Sequence, residues 1–281
     1  MRVGAYEVNT IETGRFRLDG GAMFGVVPKV LWERTNPADD KNRISMALRS
    51  LLIRGNGRTI LVDCGAGEKW SPKQIEMYAI DHSQNDMDRS LAKFGVSRED
   101  VTDVVLTHLH FDHVGGATRY NEKREVVLSF PNADYLVQEE NLSHAHAPSE
   151  KDRASFIEST IEPLQSSRRI KLLKGDRDLI PGVQIVVTHG HTPGQNLVKV
   201  SGDKKTILFC GDTIPTASHI PVPYVMGFDL YPMTTIEEKK KLLKEAVEEN
   251  WTLVWAHDPD TAACTVQCKD GRYSRRGDVV V

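Results

Sequence analysis

The chain has 281 residues and a formal net charge of −3, from 36 basic and 39 acidic side chains. The length allows one well-buried domain, and the near-balanced charge supplies no field to hold a polyanion, so no nucleic-acid partner is expected. No run approaches the roughly 20 apolar residues of a membrane span, and the first residues, MRVGAYEVNTIETGRF, carry no apolar signal segment, so no membrane association and a cytoplasmic location are expected.

In chain order, ISMALRSLLIRGNGRTILVDCGAG predicts two strands, Ile44–Ile53 and Thr59–Val62, joined by a turn whose Asn-Gly pair suits positive φ. Asp63 follows the second strand directly. Met87, Leu91 and Phe94 stand at helical spacing over Gln84–Phe94, with Gly95 as a C-terminal stop. Val101–Leu106 is a short β-branched strand. REVVLSF and ADYLVQ alternate as strands do, and Ser155–Leu164 reads as a helix with Pro163 near its end. VQIVVTHG, NLVKV and KKTILFCGD predict three more strands. Thr235–Glu238 has the form of a capping box for a helix ending near Asn250, and TLVWAHD reads as the last strand. RYSRRGD at 272–278 is expected to be a solvated tail. Strands and helices mix throughout, so the class is α/β. Cys64, Cys210, Cys264 and Cys268 are too few for a disulfide framework and read as reduced thiols.

The strand Val101–Leu106 runs into THLHFDHVGG, which places His108, His110, Asp112 and His113 within six residues. Adjacent side chains diverge, so four such groups fit two ions more easily than one. Gly115 and Gly116 would let the backbone turn beneath them. Imidazole and carboxylate without nearby thiolate suit an open divalent site rather than a closed structural zinc site. His191 in THGHTPGQ, Asp212 in CGDT and His257 in AHDP bring the nitrogen and oxygen donors to seven. That number suits two divalent ions with open positions, with Asp212 as the natural bridge.

THLHFDHVGG, GHTPG, GDT and AHD, in that order and after LVDCG, resemble the metallo-β-lactamase fold hydrolases over about Ile44–Asp258. The resemblance implies an α/β four-layer αββα sandwich of two mixed sheets, helices outside, with the metals at one edge. It implies one domain over 1–281, with 1–43 a loop region lining the site or making a homodimer contact. His108, His110 and His191 would hold the first ion, Asp112, His113 and His257 the second, and Asp212 would bridge them. Asp63 would orient a ligand histidine, and His189 would stand outside the set. Zinc is the expected metal, with manganese, iron and cobalt as alternatives. A water shared by the ions would be the nucleophile, and Asp112 is the candidate to pass a proton to the leaving group.

Within that family the chain most resembles the acyl-homoserine lactonases and the methyl-parathion-hydrolase-like enzymes. The implied reaction is opening of an N-acyl-homoserine lactone, a quorum-quenching activity on a small ester-like substrate. A phosphotriesterase or arylesterase is the alternative, and a metal-binding scaffold without turnover is a third reading. Met23, Phe24, Val27 and Trp32 would form an apolar wall, and Phe111, inside the motif, would touch substrate. The tyrosine that known lactonases carry three residues after the bridging aspartate is replaced by Pro215. Tyr224 or Tyr231, in the loop IPVPYVMGFDLYP, could supply the hydroxyl instead. His82, His144, His146 and His219 receive no role, and His144 and His146 are expected to be exposed and to lack a carboxylate partner.

Overall fold

The computed structural model describes all residues from Met1 to Val281. β1 (Arg2–Val3), β2 (Tyr6–Asp19), β3 (Arg43–Gly55), β4 (Arg58–Val62) and β5 (Asp103–Val105) begin the first sheet. A separate hairpin, β6 (Thr118–Tyr120) and β7 (Val126–Leu128), follows, and β8 (Asp134–Gln138) and β9 (Ile170–Leu173) complete the seven-stranded first sheet in the order β1-β2-β3-β4-β5-β8-β9. The second sheet also has seven strands, arranged in chain order: β10 (Arg177–Ile180), β11 (Val183–Thr188), β12 (Gln195–Ser201), β13 (Thr206–Phe209), β14 (Thr252–Val254), β15 (Ala263–Lys269) and β16 (Arg272–Asp278). Both sheets are mixed: β4, β5, β8 and β9 pair in parallel, as do β13 and β14.

The alternation of side chains along each strand builds four layers. Leu51 and Ile53 of β3, with Ile207 and Phe209 of β13, fill the space between the sheets. Leu52 faces the other way, towards Leu91 and Leu164 on the helices Met87–Ala92 and Glu158–Ser166. Leu208 likewise packs with Leu242, Leu243 and Ala246 of the helix Pro232–Glu248. Burying one such side chain is worth about 1.5–3 kcal/mol over leaving it in water. Strands apolar on both faces are therefore stable only with a layer on each side, which is the expected αββα arrangement. The expected hairpin turn is present, with Asn56 and Gly57 both at positive φ. No helix is long and apolar enough to cross a membrane.

Several local expectations change. Residues 6–19, expected within a loop region, form the long strand β2, whose Tyr6, Val8 and Ile11 are buried; a bulge between Glu12 and Arg15 resets its register on β3. RYSRRGD is not a tail but the edge strand β16, exposed along most of its length, so the strand ending in VWAHD is not the last. Cys264 and Cys268 share a strand, and all four cysteines are free. The expected capping box at Thr235 does not form. The helix starts three residues earlier, with Pro232 at the first position, where a fixed φ and a missing N–H cost nothing. Glu238 instead accepts hydrogen bonds from the backbone N–H of His189 (2.6 Å) and Gly190 (3.1 Å).

That contact explains Gly190. A Cβ there would lie 2.4 Å from the Thr235 nitrogen, inside the helix backbone. Gly190→Ala is expected to destabilise the protein by about 1–3 kcal/mol, the usual range for overpacking, in urea unfolding. Gly277→Ala, where a Cβ would meet nothing within 4 Å, is expected to change stability by less than about 0.5 kcal/mol.

Candidate metal centre

Five strand ends converge at one edge of the two sheets. β4 delivers Asp63, β5 delivers Thr107 to His113, and β11, β13 and β14 deliver His191, Asp212 and His257. The parallel register pairs Phe209 with Val254, so Asp212 and His257 each stand three residues beyond the paired ends. The segment after His110 closes into a short helix, Phe111–Val114. Gly115 and Gly116 serve close approach there rather than a left-handed turn: a Cβ on Gly116 would lie 2.2 Å from the Cys64 carbonyl oxygen.

The structure gathers all seven expected donors. His108, His110 and His191 form one buried set, and Asp112, His113, Asp212 and His257 form the other; within each set the donor atoms lie within 4.8 Å of one another. Asp212 faces both sets, with Oδ1 3.2 Å from His113 Nε2 and 3.1 Å from His257 Nε2, and Oδ2 3.4 Å from His191 Nε2. Asp112 Oδ2 is 3.4 Å from His257 Nε2. His189 is exposed and paired with Glu140, outside both sets.

The surrounding hydrogen bonds assign the ring protons. Thr107 Oγ1 donates to Asp63 Oδ2 and accepts from His108 Nδ1. His113 Nδ1 donates to Asp63 Oδ2 at 2.7 Å, His257 Nδ1 to the Ala47 carbonyl at 2.9 Å, and His191 Nδ1 to Asp229 Oδ1 at 3.0 Å. When neutral, each of these four rings therefore turns an Nε2 lone pair inward. His113 and His257 face each other Nε2 to Nε2 at 3.1 Å, and His191 Nε2 faces His110 Nδ1 at the same separation. Two facing lone pairs repel unless a proton or a cation lies between them. His108 Nε2, His110 Nε2 and Asp212 Oδ1 are buried without a hydrogen-bond partner, which native interiors avoid. The donor set thus fits two divalent cations. Burial, then the neighbouring imidazoles, holds His108 and His110 well below the ordinary histidine range, keeping them neutral as ligands must be. Burial pushes Asp212 up, but His113, His257 and His191 outweigh it and hold the carboxyl well below its usual range.

Asp229 was not foreseen. It is buried in the loop after the helical turn at 217–219, its Oδ2 accepts from Met226 N at 3.1 Å, and it does for His191 what Asp63 does for His113. The sequence signal was one acid in an otherwise apolar, proline-rich loop. Lys239 holds that loop. Its side chain is fully buried, and Nζ donates to the carbonyls of Tyr224 (2.6 Å), Pro221 (3.0 Å) and Val222 (3.4 Å).

Above the donors lies a cavity of about 460 Å³ whose lining includes His110, Asp112, His191 and Asp212. Met23 and Phe111 line it as expected. Phe24 does not; it stacks behind, between Trp32 and His219, and Tyr224 meets its edge. Tyr224 and the exposed Tyr231 are absent from the lining, so neither presents its hydroxyl there. The tyrosine that does line it is Tyr78, tilted on Phe111 with ring centroids 4.9 Å apart. It ends the helix Pro72–Tyr78, marked in the sequence by the Ser71–Gln74 capping box. His144 is half-buried and bonded to Asp152 at 2.6 Å, a carboxylate partner that local spacing did not show. His219 is buried, bonded to Thr216 and to the Met23 carbonyl, and His82 links the carbonyls of Thr13 and Gly67; both have structural partners.

Fold and donor set together define a class: an αββα sandwich with a candidate dinuclear metal centre at one edge. The model of the Metallo-beta-lactamase superfamily matches residues 49–257, and the chain belongs to that family. It is 26% identical to the N-acyl homoserine lactonase of Bacillus cereus over 171 residues, and the match spans only 60% of each protein. It is 28% identical to the N-acyl homoserine lactonase AttM of Rhizobium radiobacter, over 66% of this chain and 68% of that one. A probable metal-dependent hydrolase from Staphylococcus aureus superposes with a TM-score of 0.89 at 26% identity, covering 100% of both chains. AidC, a dizinc quorum-quenching lactonase solved with a product, shares the fold at a TM-score of 0.80 and 19% identity, over 100% of this chain and 97% of that one.

Burial lowers the pKa of Lys239 to about 7, against the pull of Asp229 in the other direction. The unfolded chain, with lysine near 10.4, then binds a proton between about pH 7 and 10 that the folded chain does not. Stability contributed at this position therefore rises with pH across that window and is flat below it. The difference in unfolding free energy between wild type and Lys239→Met is expected to shift in favour of wild type by about 1–2 kcal/mol from pH 7 to pH 9, measured by urea titration.

Proposed function

We propose that this protein is a dinuclear metal-dependent lactonase that opens N-acyl-homoserine lactones. The observation that carries this reading is the position of the seven buried donors beneath a largely apolar cavity of about 460 Å³. A volume of that size suits one small ligand, and the wall of Met23, Met46, Phe111, Met226 and Phe228 suits an acyl arm. The relatives named as lactonases support the same assignment.

In this reading His108, His110 and His191 would hold one ion and Asp112, His113 and His257 the other, with Asp212 the carboxylate available to both. Two divalent ions there would supply Lewis acidity, polarising a scissile carbonyl and lowering the pKa of water to about 7. The protein does the rest. Asp63 and Asp229 fix the inward nitrogens of His113 and His191, so the donors are arranged before substrate arrives. The apolar wall takes the acyl arm out of water. Asp112 lines the cavity beside His257, where its carboxylate can hold a proton and release it to the leaving oxygen. Tyr78 is the tyrosine of the cavity lining, and its phenol feels the charge of Asp112.

Chelator-treated protein is expected to lose turnover of N-acyl-homoserine lactones and to regain it with zinc, manganese or cobalt. The check is kcat/KM on lactones of several acyl lengths beside an aryl phosphotriester. Turnover of the phosphotriester alone would sink the lactone assignment. Asp229→Asn is expected to weaken metal binding about 10–100-fold, read by competition with a chromogenic chelator. Asp112→Asn is expected to lower kcat about a hundredfold or more, measured at a metal concentration that restores two ions per chain.

A further inference from the structure

Three cationic side chains line the cavity: Arg17, Arg43 and Lys151. Two of them are committed to the protein. Arg43 grips Asp39 through Nε (3.0 Å) and its second terminal nitrogen (2.9 Å), and its remaining nitrogen donates to the carbonyls of Glu76 and Met77. Lys151 donates to the Asp229 carbonyl. The Arg17 side chain makes no hydrogen bond within the protein. Its one ionic neighbour is Asp39, at 3.6 Å. The oxygens of Asp39 are already taken by Arg43 and by the backbone N–H of Lys41 and Arg43. Asp19, the carboxylate beside it at the mouth, is bound by Ala22 N and Asn42 Nδ2 and forms no ion pair with Arg17.

Arg17 stands next to Phe16, whose ring meets His257 and Phe111 at the floor of the site. Its own side chain is 38% exposed, so it occupies the outer part of the cavity, away from the buried donors. Its N–H groups have no hydrogen-bond acceptor within the protein, so in the open cavity they are left to solvent. A bound acyl arm would displace that solvent, and donors closed off without an acceptor carry a full desolvation cost. A pocket that holds a guanidinium without a hydrogen-bond acceptor therefore selects against a plain alkyl arm and for one that returns an acceptor. The planar fork of arginine suits a carboxylate best and a carbonyl next.

We propose that Arg17 is the specificity-determining residue of this site, and that the substrate is an ester or lactone whose acyl arm carries an acceptor oxygen: a carboxylate by preference, an oxo group second. This deepens the lactonase reading and rests on it for the reacting bond. The four methionines in the wall, Met23, Met46, Met77 and Met226, adapt to arms of different length. The acceptor, not the chain, is thus what the site reads.

The test compares unsubstituted, 3-oxo and terminally carboxylated acyl-homoserine lactones on metal-loaded wild type, Arg17→Met and Arg17→Lys. Wild type is expected to favour the carboxylated arm over the unsubstituted one about tenfold in kcat/KM, mainly through KM. Arg17→Met is expected to bring that ratio close to one, and Arg17→Lys to retain part of it. A ratio that survives Arg17→Met overturns the proposal, as does an equal fall on every substrate. A thermal melt of each variant confirms folding, and Arg17→Lys carries the comparison if Arg17→Met does not fold. A second measurement separates this proposal from the lactone reading. Calorimetric titration of the loaded protein with monocarboxylates and dicarboxylates of four to eight carbons needs no turnover. Tighter dicarboxylate binding in wild type, lost in Arg17→Met, supports the role of Arg17 even if no lactone is opened. Equal binding of both series in wild type overturns it.

Discussion

The inward-facing imidazoles of His113, His257, His191 and His110 are the constraint on which the rest of this structure depends. Two pairs of ring nitrogens approach to 3.1 Å at a buried edge of the sandwich, with the carboxylate of Asp212 between them. Left to themselves, these groups would rotate apart or bind water. For His113, His257 and His191, as for the neighbouring His108, what prevents this is the hydrogen bond of the other ring nitrogen; His110 has none. Asp63, Asp229, the Ala47 carbonyl and the Thr107 hydroxyl each hold an Nδ1 proton and so aim the opposite nitrogen inward. Asp63 does so from positive φ, a conformation uncommon for an aspartate and tolerated where the surrounding bonds overdetermine it.

Those orienting groups are themselves held by contacts between the two sheets. Arg49, buried on β3, donates to the carbonyls of Trp255 and Asp258 on either side of His257. The backbone N–H of Ala47 and Arg49 bonds to the carbonyls of His257 and Ala256. The first sheet thereby fixes a ligand that the second sheet carries. Across the site, Lys239 and Glu238 come from one helix and act on different segments: Lys239 on the carbonyls before Asp229, Glu238 on the N–H groups before His191. A single helix thus positions both a donor and the acid that aims it. A buried lysine without a carboxylate partner is costly, and three carbonyl bonds to one loop are what offset that cost here.

The part of the protein legible in the sequence follows a pattern. Strands buried on both faces appear as short β-branched runs, and β3, β4, β5, β11 and β13 each end where a polar or glycine-rich segment begins. The donors of THLHFDHVGG lie within one loop, so their spacing alone marks them. The elements that were misread are those where tertiary contact overrode a local signal. Thr235 looked like a cap because of its spacing to Glu238, but Glu238 is occupied by the turn at His189. Residues 272–278 looked like a solvated tail because they are charged, yet an edge strand can be charged and still complete a sheet.

By itself, then, the sequence determined the chemical types of the donors, their order, and the α/β alternation that brings strand ends to one edge. These depend on short-range spacing and on side-chain polarity, both of which are written locally. Only the tertiary structure decided that Asp229 aims His191, that Asp152 pairs with His144, that Tyr78 rather than Tyr224 lines the cavity, and that the Arg17 guanidinium is left without a hydrogen bond. Each of these rests on segments up to tens of residues apart in the chain. No local pattern reports which of many equivalent acids, phenols or guanidinium groups the docking of two sheets will bring to the site and which it will leave unengaged.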